Sequence, residues 1–302
     1  MRTAAFRSMR VFLLSLAVAA LAAVTVAVAT LAAGSALAGN ALRLEGHYTQ
    51  GGLVYGWTEP GARVTLDGTA VPVSPGGRFL FGFGRDAGPT ALLEIAHPGG
   101  ITDRQTLTIE PRVYGVQEIE GLPPSTVTPD PALQERIAAE NARVAAARQP
   151  QAAVEYWAGG FAWPVEGPIS GVYGTGRILN GEPRQPHYGV DVAAPEGTAV
   201  AAPAAGIVTL AETGMVLTGG TIVIDHGQGL SSTLMHLSAV LVPAGRFVEQ
   251  GTIVGKVGAT GRATGPHLDW RMNWRDARLD PALLVPPMPA DALASDQPAT
   301  GD

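Results

Sequence analysis

The chain contains no cysteine. Disulfide frameworks and thiolate metal ligands are thereby excluded, and an exported form would have to hold its shape with an apolar core alone. Lysine is almost as scarce, Lys256 being the only one. With 20 Lys and Arg against 26 Asp and Glu, the net charge is −6. Phosphate neutralisation needs clustered cations, so nucleic acid is set aside as a partner. Long helical periods are missing after Gly160, and no cluster of titratable residues occurs between Leu42 and Arg112. What is present, 46% hydrophobic residues in 302, allows one large or two modest domains with real cores.

Arg2, Arg7 and Arg10 precede an uncharged apolar and small-residue run from Val11 to about Ala33, followed by Ala36-Leu37-Ala38. That order reads as a secretory signal over residues 1–38, cleaved after Ala38, which places the protein in the periplasm or cell envelope. The run is also long enough to span a bilayer as an uncleaved anchor. Without residues 1–38 the chain loses three positive and no negative charges, and the balance moves from −6 to −9.

The fold class expected is all-β. Residues 39–114 hold short β-type runs, Leu53-Val54-Tyr55, Arg63-Val64-Thr65-Leu66, Phe79-Leu80-Phe81 and Thr106-Leu107-Thr108-Ile109, separated by turn chemistry such as Glu59-Pro60-Gly61 and Asp67-Gly68. Their spacing predicts a small antiparallel β-sandwich, an accessory module that contacts the wall or an envelope protein partner, or serves as a spacer. Residues 115–158 read as an acidic, proline-rich linker with one helix over about 130–149, capped by Asp130, opened by Pro131 and stopped by Pro150. Its low apolar content predicts a surface helix or interdomain strut. Residues 159–286 form the second domain, an all-β, partly closed sheet of short runs between Gly- and Pro-rich turns. The tail 287–302 reads as disordered.

Chemistry concentrates in that second domain. Three of only six histidines lie in apolar stretches beside carboxylates: His187-Tyr188-Gly189-Val190-Asp191, Met235-His236-Leu237 and His267-Leu268-Asp269-Trp270. Two-residue alternation in the first stretch predicts a half-buried strand with His187 and Asp191 on one side. In the third it puts His267, Asp269, Arg271 and Asn273 on one face, and Leu268, Trp270 and Met272 on the other. Imidazole nitrogen and carboxylate oxygen are good zinc donors, and a catalytic site keeps a vertex open for water. Water bound there falls from a pKa of about 15.7 toward about 7, roughly 12 kcal/mol of deprotonation free energy.

At these residues the chain resembles the LytM-type metallopeptidases, the M23 family of peptidoglycan endopeptidases. The family pattern is His-x-x-x-Asp, a later His-Leu, and a closing His-x-His. Shared pieces include Gly189-Val190-Asp191-Val192-Ala193-Ala194-Pro195, Gly206-Ile207-Val208 and Thr260-Gly261-Arg262-Ala263-Thr264-Gly265-Pro266. The resemblance spans about 120 residues, from near Phe161 to near Val285, and implies one zinc ion held by His187, Asp191 and Asp269, with His236 and His267 assisting the chemistry. Asp269 departs from the pattern, because a histidine is usual there. A second anionic donor is expected to leave the ion a weaker Lewis acid, or to favour a harder metal such as manganese; a carboxylate that only orients a neighbour is the alternative.

The function expected is hydrolysis of peptide stems or cross-links of peptidoglycan. A noncatalytic wall-binding or hydrolase-activating relative is the first alternative, and a biotinyl- or lipoyl-type carrier the second. The carrier needs a lysine at a hairpin tip, whereas Lys256 lies inside Ile253-Val254-Gly255-Lys256-Val257. His226 is expected to end a strand before a turn, His47 and His97 to sit at the surface, and Tyr173, Arg177 and Asn180 to line a substrate groove or form a loop.

Overall fold

The computed structural model describes residues 42–121, 130–149 and 152–293. The expected export segment and residues 294–302 of the tail lie outside them.

The described residues open with seven antiparallel strands: β1 (Arg43–Gly46), β2 (Leu53–Trp57), β3 (Arg63–Leu66), β4 (Thr69–Val71), β5 (Arg78–Gly82), β6 (Thr90–Ala96) and β7 (Thr102–Thr108). They form two sheets, β1-β2-β5 and β4-β3-β6-β7. In β6 alternate residues Ala91, Leu93 and Ile95 are buried, the signature of a sheet with one wet face. Leu53, Phe79, Phe81 and Leu80 fill the core without any exposure.

The segment read as linker begins with a strand, β8 (Val116–Ile119). Its partner lies some 60 residues further on, and an acidic local composition gives no sign of it. Helix α1 (Pro131–Ala147) follows as expected: the Asp130 carboxylate accepts the Leu133 N–H at 3.0 Å, and proline occupies the first turn. The helix docks through Val144 onto Leu210, Met215 and Val223. Buried Glu140 is satisfied by the Val216 N–H at 2.7 Å and by Arg136 at 2.9 Å.

Thirteen strands follow: β9 (Ile169–Gly171), β10 (Gly176–Leu179), β11 (Glu182–Arg184), β12 (Val190–Ala193), β13 (Ala199–Ala201), β14 (Gly206–Met215), β15 (Gly219–Gly227), β16 (Leu230–Leu237), β17 (Ala239–Val240), β18 (Phe247–Val248), β19 (Ile253–Lys256), β20 (His267–Trp274) and β21 (Ala277–Leu279). The main sheet runs β18-β14-β15-β16-β20-β12-β9, with β21 added to β20. β15 and β16 are buried along their whole length. Smaller sheets, β13-β19-β17 and β11-β10-β8, flank it. The β10–β11 hairpin turns on Asn180-Gly181, both at positive φ (49° and 77°), which is why asparagine and glycine stand there. Asn180 is therefore a turn residue.

Residues 43–114 and 152–293 fall within one compact unit and share specific contacts. Arg112 pairs with Asp280 at 2.8 Å, Arg85 Nε donates to the Gly174 carbonyl at 2.8 Å, and Tyr114 meets Tyr173 edge-on with centroids 6.1 Å apart. Tyr173 is 3% exposed and its hydroxyl donates to the Arg278 carbonyl at 2.7 Å, which props the fold, and its ring also lines a cavity with Tyr114, Val172 and Thr175. Near the end, Trp163 Nε1 donates to the Pro286 carbonyl at 2.8 Å, and Ala290–Leu293 form a helical turn where a structureless tail is expected from composition. Among the described residues, no helix is long and apolar enough to cross a membrane.

Candidate metal centre

β20 carries the alternation expected of it. Leu268, Trp270 and Met272 are fully buried on the core face, and His267, Asp269 and Arg271 emerge on the other. β12 lies antiparallel beside it, and the register sets Asp191 directly opposite Asp269. Two carboxylates facing each other across neighbouring strands repel, so the arrangement calls for a cation or a proton between them.

His187 arrives differently from the sequence expectation. The strand begins only at Val190, and His187 sits ahead of it. Backbone bonds hold it there: its N–H donates to the Thr175 carbonyl at 2.8 Å, and its carbonyl accepts from the Gly174 N–H at 2.7 Å. The expected convergence with Asp191 nevertheless occurs. His187 Nε2 and Asp191 Oδ1 are 3.2 Å apart, buried, and neither makes a hydrogen bond. Possible donor atoms of His187, Asp191 and Asp269 all lie within 4.8 Å of one another. Two orphaned polar atoms aimed at a common point, with a third donor beside them, fit a divalent cation.

Two glycines make the room. A Cβ at Gly171, the register partner of Asp191, would collide with that carboxylate. One at Gly189 would stand 2.5 Å from Asp269 Oδ1 and 2.6 Å from Arg271 Cγ. Sequence reasoning missed both, because the collisions are across strands.

His236 and His267 stand side by side, ring centroids 4.8 Å apart. His236 Nδ1 donates to the Thr260 carbonyl and His267 Nδ1 to the Gly265 carbonyl, each at 2.8 Å. The Thr260–Gly265 loop thus fixes both tautomers and leaves each Nε2 as an acceptor. His267 Nε2 lies 3.9 Å from Asp191 Oδ1. His236 has φ of 64°, a left-handed conformation that is uncommon outside glycine and clusters at functional sites.

Arginines frame the site. Arg177 points into it: Nη2 is 3.0 Å from His187 Nδ1 and 3.9 Å from Asp191 Oδ2. Guanidinium only donates, so with this contact in place Nδ1 accepts and the ring proton rests on Nε2; a neutral ring that takes a cation on Nε2 carries its proton on Nδ1 instead, and Arg177 must then draw back from it. Arg271, placed by the sequence on the shared face but given no role, donates through Nη2 to Asp269 Oδ2 at 2.7 Å and through Nε to Oδ1 and Oδ2 at 3.1 and 3.2 Å. An acid and a base two residues apart on one strand face was the signal available for it.

Burial and charge set the protonation states. Burial, more than any charge, holds His187 down to about 4. Burial also lowers His236, which keeps it neutral near pH 7. Asp191 is pushed up to about 7 by burial and then by the Asp269 charge. Asp269 is pushed up by burial too, but the Arg271 guanidinium outweighs this and holds it below the usual carboxylate range.

The other histidines are structural. His226 is fully buried, with Nδ1 on the Ala205 carbonyl and Nε2 on Ser232 Oγ, each at 2.7 Å. His97 lies between Glu59 and Asp103 on the first module, and His47 is exposed.

Residues 185–281, which contain all five candidate side chains, match the model for Peptidase family M23. The structure is similar to that of a putative peptidase M23 from Pseudomonas aeruginosa: 31% identity, TM-score 0.61, covering 78% of this chain and 94% of that one. The chain belongs to peptidase family M23. It is also 34% identical over 137 residues to the cell division protein DipM of Caulobacter vibrioides, covering 42% of this chain and 21% of that protein. The peptidoglycan DD-endopeptidase ShyA of Vibrio cholerae is 39% identical over 87 residues, covering 29% of this chain and 20% of that protein. The chain thus spans about a fifth of the length of these curated relatives.

Proposed function

We propose that the protein is a zinc-dependent endopeptidase of the cell envelope that hydrolyses peptide stems or cross-links of peptidoglycan. The observation that carries the reading is the pair of buried, unpartnered atoms His187 Nε2 and Asp191 Oδ1, 3.2 Å apart, beside two histidines whose Nε2 atoms are free to accept. Names of family members such as peptidoglycan DD-endopeptidase supply the substrate class.

His187, Asp191 and Asp269 would hold the ion, which supplies a Lewis acid for the scissile carbonyl and lowers the pKa of water. A neutral imidazole at His236 or His267 takes the proton of the attacking water on Nε2. Once charged, it donates that proton to the departing amine nitrogen, while the neighbouring ring, whose Nε2 carries no proton, accepts a second hydrogen bond from the attacking water and orients it. The Thr260 and Gly265 carbonyls keep both rings oriented through this cycle. Incubation of the purified protein with cross-linked muropeptides, with and without chelator, tests the proposal: chelator-sensitive cleavage is expected, and its absence counts against the reading.

A noncatalytic wall-binding or activating role is the second reading. The Asp269–Arg271 pair favours it, because it engages the carboxylate that would be the third ligand. Metal-free protein whose partner binding is unchanged in Asp191→Ala would support that role.

A further inference from the structure

Resting on the metal-site reading, we infer that Asp269 and Arg271 act together as one neutral ligand unit, with Arg271 a positioning residue that cancels the extra negative charge Asp269 brings. The geometry is specific. Arg271 approaches both oxygens of Asp269, and its Nε is shared between them. Each carboxylate oxygen has two lone pairs, so Oδ1, engaged only by the longer 3.1 Å contact, keeps one for a cation. The Asp269 side chain is 3% exposed and the Arg271 side chain 24%. Screening by water is therefore weak at the carboxylate.

Charge counting gives the consequence. His187 is neutral, Asp191 and Asp269 each carry −1, and Arg271, the cation bonded directly to a ligand carboxylate, carries +1, so this set sums to −1; Arg177, 3.9 Å from Asp191 Oδ2, is common to every variant compared. One carboxylate with two neutral imidazoles sums to the same value. Asp269 alone would make the set −2 and a poorer electrophile of the ion; paired with Arg271, it presents an oxygen donor with the charge of an imidazole. Gly189 is part of the same device, since any side chain there would push on Asp269 Oδ1 and on Arg271 Cγ.

Neither partner can then be exchanged alone, and the two single exchanges act in opposite directions. Zinc affinity of the purified full chain is measured by competition with a chromogenic chelator at about pH 8, above the usual carboxylate range. Arg271→Met, which leaves the set at −2, is expected to bind zinc at least about tenfold more tightly, and Asp269→His, which makes it zero, at least about tenfold more weakly. The double variant Asp269→His with Arg271→Met is expected within about threefold of the wild type. A pair that only braces the fold cannot tighten metal binding when it is cut, so unchanged or weaker affinity in Arg271→Met overturns the inference. Asp269→His binding as tightly as the wild type, with Arg271 in place, overturns it equally. If Asp269→His fails to fold, Arg271→Met alone decides. Wild-type protein that takes up no zinc removes the metal-site reading itself, and with it this inference, an outcome read before any variant is made.

Discussion

The first module and the second domain are both sheets, yet they bury different things. The first hides Leu53, Phe79, Leu80, Phe81, Leu93 and Ile95, and no histidine, acid or base is among its buried residues. The second buries His187, His236 and Asp269 at the candidate site, none more than 6% exposed. One residue type shows the contrast. His97 on the first module is raised by its bonds to Asp103 and Glu59, whereas His187 is held down to about 4 by burial. Desolvation has no apolar return when an imidazole is buried, so a sheet that buries several beside opposed carboxylates is arranged for a ligand or a reaction rather than for stability.

The largest effect that sharpens this contrast comes from Asp191→Asn or His187→Ala. Either should lower chelator-sensitive cleavage by a factor on the order of a thousand or more, with the fold retained by circular dichroism. Phe81→Ala should do the reverse: a loss of about 3–5 kcal/mol in denaturant unfolding with zinc affinity unchanged in the folded protein. Weaker zinc binding in folded Phe81→Ala would break the distinction between the two regions. Gly189→Ala should cost roughly tenfold to a hundredfold in zinc affinity, measured by chelator competition, because it displaces Asp269 and Arg271 together.

A smaller effect is a pH dependence. The fold prefers Asp191 protonated, so stability linked to this group is greatest below 3.8 and declines as pH rises through about 7. It prefers His187 neutral, so stability linked to that group declines as pH falls from 6.5 through about 4. Between those values the two oppose each other, and above 6.5 Asp191 acts alone. In excess chelator, Tm should therefore drop by a few degrees between about pH 6.5 and 8, and Asp191→Asn should flatten that slope. The smallest effect is expected at His97→Ala, whose ion pairs face solvent and whose removal should move Tm barely measurably.

Much of the site was legible because period-two patterning is local. The faces of β20 could be assigned from His267 to Asn273 alone, and the ordered motif residues proved to converge. Helix α1 was equally readable, since its cap and its first-turn proline are chemical signals. What stayed hidden was set by contacts between distant segments. The register opposing Asp191 to Asp269, the hold of Gly174 and Thr175 on His187, the space left by Gly171 and Gly189, and the pairing of Val116–Ile119 with β10 have no signature in adjacent residues. Arg271 was visible on the right face, but its partner could be named only once both side chains had positions.

The bond from Arg85 to the Gly174 carbonyl reaches further than its 2.8 Å suggests. The Gly174 N–H also donates to the carbonyl of His187, so the guanidinium of Arg85 holds the same residue that seats the His187 backbone. A minimal fragment begun near the first motif would lose that grip, along with β8 and the Arg112–Asp280 pair. Whoever trims this protein to its recognisable core trims away part of the bench on which the candidate ligand His187 is clamped, and the two halves are better regarded as one tool with a handle.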